Sequence, residues 1–103
     1  MKSDKPEPYK LSMTSAAKND LRRVFAAANV TDTGAEMIAA ARDIEERLLT
    51  DPMEAGEPLY ELGPPKILIR VLPIRPLAAE YGVMEEQRAV CIRSFRSMQA
   101  QAP

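Results

Sequence analysis

Histidine is absent from this 103-residue chain, which removes the commonest metal ligand and the usual acid–base group of neutral pH. The single cysteine, Cys91, excludes an internal disulfide and any cysteine cluster for zinc. Tryptophan is missing too, and Phe and Tyr together number five, so Ala, Leu, Ile, Val and Met must fill the core. No apolar run approaches the ~18 residues of a membrane span. The opening MKSDKPEPYK lacks the apolar stretch of a secretory signal. Gly-rich phosphate loops, zinc signatures and calcium loops do not occur. These absences lead us to expect a soluble, cytoplasmic protein with no cofactor, no metal and no membrane partner.

What is present suits one domain with a modest core, since 46% of the residues are apolar. Residues 1–8 read as a loose tail, 9–98 as the domain and 99–103 as a second tail. The net charge of −1 argues against a general nucleic-acid binder, whose affinity leans on neutralising phosphates. The charge is uneven, with a net of −4 over residues 1–62 and +3 over 63–103.

The alternation in Tyr9–Met13 predicts a short half-buried strand. Thr14 or Ser15 can cap a helix whose apolar positions Ala17, Leu21, Val24, Phe25 and Ala28 share one face. Asn29 and the link VTDT end it. Thr33 and Glu36 then stand at capping-box spacing, opening a second helix with Met37, Ala41, Ile44 and Leu48 at helical intervals. Asp51-Pro52 closes that helix, because a residue before proline resists the helical region. From Met53 to Lys66 the chain reads as loop, with room for a short edge strand at Leu59–Leu62.

Pro73 and Pro76 cannot donate to a sheet ladder, so they mark a turn at Ile74-Arg75 between strands 67–72 and 77–83. A third strand, Ala89–Phe95, follows the polar EEQR. Strand alternation sorts the side chains. Ile67, Ile69 and Val71 form one wholly apolar face, expected toward the helices, as do Leu77, Ala79, Tyr81 and Val83, and then Val90 and Ile92. The opposite face then collects Arg70, Glu80 and Arg93. Leu21, Phe25, Met37, Ile44, Leu48, Ile69, Val71, Tyr81 and Ile92 are expected to be buried together. The fold class is α+β, β-α-α-β-β-β, with the first strand and a helix hairpin packed on a small antiparallel sheet.

This order, the segment Asp51-Pro52 with Gly56-Glu57, the arginine-led strand, PLAAEYGV and AVCIRSFR together resemble the RelE/ParE superfamily of type II toxin–antitoxin toxins. The resemblance runs over roughly residues 9–96 and is most similar to the superfamily's short, sparsely characterised members. It implies a compact toxin neutralised by a cognate antitoxin, with either messenger RNA on the ribosome or DNA gyrase as its target. In the RNA-cutting branch it implies catalysis by strand arginines and lysines with a Tyr or His near the C-terminus. Arg70, Arg93 and Arg96 could supply the arginines. Beyond Arg96 the sequence offers only SMQAQAP, with neither Tyr nor His.

Each feature also has a plainer reading. Glu80 between Arg70 and Arg93 suits a cross-strand ion-pair ladder, and its carboxylate would repel the phosphate of a nuclease site. Arg75 and Arg88 read as solvated turn charges, Tyr81 as core, Cys91 as a small half-buried apolar residue. The reading is therefore a toxin-like component acting mainly through protein binding, leaning away from an enzyme. The alternatives are a ribosome-dependent mRNA endonuclease using Arg70, Arg93 and Arg96, or an unrelated small α+β interaction module.

Overall fold

The computed structural model describes residues 8–30 and 33–98. In chain order the elements are β1 (Lys10–Met13), α1 (Ser15–Val30), α2 (Gly34–Thr50), the single turn α3 (Pro52–Ala55), β2 (Glu57–Leu62), β3 (Ile67–Ile74), β4 (Leu77–Met84) and β5 (Ala89–Ser97). The strands form one five-stranded sheet in the order β1-β5-β4-β3-β2. The α+β class and the meander are as expected. The edge strand is longer than Leu59–Leu62, and β1 joins β5 in parallel, which makes the sheet mixed. The expected tails fall outside the described residues except for Pro8, as do Thr31 and Asp32 of the helix link. Among the described residues no helix is long and apolar enough to cross a membrane, and no group of three acidic or Cys side chains is placed to hold a metal ion.

Thr14 is the cap of α1. Its Oγ1 accepts from the Ala17 N–H at 3.0 Å and donates to the Arg93 carbonyl at 3.2 Å. The capping box at α2 does not form: Thr33 makes no side-chain cap and its Oγ1 points back to the Ala28 carbonyl at 3.5 Å. Helix α2 buries Met37, Ala40, Ile44 and Leu48, and Pro52 opens α3, where its missing N–H costs nothing.

Strands β3 and β4 are antiparallel around Arg75-Pro76, one residue later than the predicted turn. Pro73 lies inside β3 opposite Ala78, beyond Val71, where pairing to β2 has ended. That edge of β3 is open there, so a missing donor is tolerated.

The faces of β3 are the reverse of the expectation. Leu68, Arg70, Leu72 and Ile74 stand opposite Val83, Tyr81, Ala79 and Leu77, which belong to the core under the helices. Ile69 and Val71 lie on the other side, opposite Gly82 and Glu80. A wholly apolar face looked like core, but this sheet is covered by helices on one side only. Ile69 is buried nonetheless, with its Cδ1 over Gly82, while Val71 is half-buried. Met37, Ile44, Leu48, Tyr81 and Ile92 are buried together as expected, with Leu21 and Phe25 half-buried against them.

Candidate functional site

Between Glu80 and Tyr81 the pairing of β4 to β5 slips: Glu80 faces Ser94, Tyr81 faces Ile92, and Arg93 is the extra residue of a bulge. The slip reverses alternation along β5, so Phe95, which unbroken alternation would set on the same face as Arg93, enters the core instead. A bulge strands backbone groups, and α1 satisfies two of them. Thr14 holds the Arg93 carbonyl, and Asp20 Oδ2 accepts from the Phe95 N–H at 3.2 Å.

Arg93 Nη1 lies 3.6 Å from Glu80 Oε2 and donates to the Tyr60 hydroxyl at 3.2 Å. The ion pair is half-buried and open to solvent on one side, so its worth lies in orientation more than in stability. Arg96, opposite Ala78, joins Leu59, Val71, Glu80 and Ser94 around a cavity of about 210 Å³. Two guanidinium groups, a carboxylate and a phenol thus share the uncovered side of the sheet.

Arg70 is not among them. It stands opposite Tyr81 on the helix side, where its Nη2 donates to the Gly56 carbonyl at 2.6 Å and its Nε is buried without a partner. The expected ladder of Arg70, Glu80 and Arg93 therefore reduces to the Glu80–Arg93 pair. A long alkyl stem lets an arginine occupy an inward position at the sheet margin while its head meets a carbonyl. Arg88, expected to be solvated, stacks 4.3 Å above the Tyr9 ring. Arg75 is exposed.

Tyr81 is fully buried, and its hydroxyl donates to the Pro52 carbonyl at 2.7 Å. Burial raises its pKa above the ordinary phenol value, while the neighbouring Arg70 opposes the rise. Removing the hydroxyl with Tyr81→Phe should cost about 1–3 kcal/mol, because the Pro52 carbonyl loses its donor. The unfolded phenol gives up its proton near pH 10 while the folded one keeps it. The wild-type contribution is therefore full below about pH 10 and lost as pH climbs from there through the raised folded value. Tyr81→Phe should flatten that part of the alkaline decline, read by urea titration at pH 8 to 11. Equal alkaline slopes would refute the burial assignment.

Tyr60 was not singled out from the sequence. The signal for it is the pairing of β2 with β3, which sets Tyr60 opposite Ile69 and hence on the uncovered side.

Solved structures share this fold, two from toxin–antitoxin systems among them. A chain of the crystal structure of the toxin–antitoxin complex RelBE2 from Mycobacterium tuberculosis superposes with a TM-score of 0.57 at 21% identity, over 92% of this chain and 97% of that one. A chain of the chromosomal ParDE toxin–antitoxin system from P. aeruginosa gives a TM-score of 0.60 at 19% identity, over 88% and 97%. The fold is RelE/ParE-like. No model of a protein family matches the chain, and no curated protein does.

Proposed function

We propose that this protein is the toxin-like component of a type II toxin–antitoxin module, acting mainly by binding a cognate antitoxin and a cellular target. The supporting observation is a fold shared, over 88–92% of the chain, with chains from two toxin–antitoxin systems. The charge of the uncovered face fits protein binding better than capture of a polyanion, since Glu80 sits against Arg93. Induced alone in a bacterial host, the full chain should arrest growth, and co-expression of the protein encoded by the adjacent reading frame should restore it. Unimpeded growth would refute the toxin reading and leave a small α+β interaction module.

The contact of Arg93 with Tyr60 favours a second reading, a ribosome-dependent mRNA endonuclease. In that reading Arg93 and Arg96 stabilise phosphate charge and Tyr60 is the proton-transfer group that the tail lacks. Arg70, turned to the helix side, would contribute by holding the fold. DNA gyrase is the other candidate target. Purified protein should leave free RNA intact. Specific cleavage of messenger RNA with translating ribosomes, abolished by Arg93→Ala and by Tyr60→Phe, would establish the nuclease in place of the binding reading.

A further inference from the structure

Strand β2 ends the sheet, and all six of its residues are exposed. Of the four large apolar side chains most open to water among the described residues, three belong to it: Leu59 at 49%, Tyr60 at 50% and Leu62 at 42%. Tyr60 and Leu62 stand opposite Ile69 and Ile67, on the uncovered side, and Leu59 lines the cavity there. Glu61 stands opposite Leu68, on the helix side.

Edge strands are ordinarily guarded by proline, bulges or charge. Here Pro58 and the irregularity beside it guard the first half only. Leu59–Leu62 presents a ladder edge with an apolar stripe on one side and an acid on the other. Asp51, Glu54, Glu57 and Glu61 leave residues 51–62 with four acids and no Lys or Arg. Lys66 reaches Glu61 at only 4.0 Å, and two arginines near β2 are engaged elsewhere, Arg93 on the Tyr60 hydroxyl and Glu80, Arg70 on the Gly56 carbonyl.

We infer that this edge receives an extended segment of a partner protein in which apolar and basic side chains alternate, added as a sixth strand beside β2. The inference rests on the toxin–antitoxin reading only for what the partner is. Strand addition takes its affinity from main-chain hydrogen bonds and its selectivity from alternate side chains. Apolar residues of the added strand cover Leu59, Tyr60 and Leu62, and basic ones meet Glu61. A second copy of this chain is the poorer occupant, because it would lay one acidic strand against another. The opposite edge, β1, offers four residues and no large exposed apolar side chain.

The test uses the full chain and blocked hexapeptides, read by backbone amide chemical shifts. A peptide alternating Lys and Val should shift the amides of residues 59–62. Its Glu/Val counterpart should bind about tenfold more weakly, since attractive cross-strand pairs become repulsive. An N-methylated Lys/Val peptide, unable to complete the ladder, should give no shift. Glu61→Lys, exposed and outside the core, should invert the preference. Equal binding of both peptides, shifts confined to α1 and α2, or no shift at all would overturn the inference. So would shifts at 59–62 that grow with protein concentration without peptide, which would put a second copy there. Growth arrest is not read in this experiment, so absence of toxicity would defeat the toxin reading and leave the strand-addition site standing.

Discussion

Alanine at position 56 should destabilise the protein by about 3 kcal/mol, the upper end of what overpacking costs. A Cβ on Gly56 would run into the backbone oxygen of Val71 and come within 2.7 Å of the Tyr81 hydroxyl. Neither can step aside. Val71 is paired to both β2 and β4, and Tyr81 is anchored to the Pro52 carbonyl in the core. The change also disturbs the carbonyl that receives Arg70. A urea titration would read the loss as a lower midpoint with little change in slope. A midpoint equal to that of the parent would mean that the segment between α3 and β2 can lift away from the sheet.

The second large effect is expected at Leu48, fully buried in the last turn of α2. Leu48→Ala should cost about 2–5 kcal/mol from lost transfer energy and the cavity left behind. That is a large part of the ~5–15 kcal/mol available to a domain of this size. Ile69→Ala, equally buried but on the uncovered side, should fall in the same range. Because the sheet lies between them, the two losses should add to within about 0.5 kcal/mol. Ile38→Ala, on the exposed face of the same helix, should stay within about 0.5 kcal/mol of the parent. Losses under 1 kcal/mol at both Leu48 and Ile69 would undo the two-sided packing.

Helix positions were legible because a 3.6-residue period survives any tertiary context: Ala17, Ala28, Met37, Ile44 and Leu48 are where the pattern put them. Prolines 73 and 76 likewise marked a hairpin to within a residue. Side-chain direction on β3 was not legible, since both of its faces carry branched apolar residues and only pairing decides which one the helices cover. The bulge at Arg93 escaped as well, because it depends on Thr14 and Asp20 from α1, nearly 80 residues away in the chain. The candidate site suffered from both. Arg70 was assigned to the wrong side, and Tyr60, which Arg93 contacts, lay on a stretch read mainly as loop.

The position of β5 has a consequence for how the chain is made. This strand is the last of the five in sequence, yet it lies between β1 and β4. Until residues 89–97 have emerged from the ribosome, β1 has no neighbour to pair with and the β2-β3-β4 meander has an open flank. The cap of α1 is incomplete for the same reason, since Thr14 bonds a carbonyl 79 residues further on. Closure of such long loops precedes their reward, which slows folding and defers it until β5 has been made. A nascent chain cut short before β5 therefore carries neither Arg93 nor Arg96 nor the strand that joins the two halves of the sheet. Fragments that stop short of β5 should fail to fold, and the whole sheet should close in one step once that strand is available.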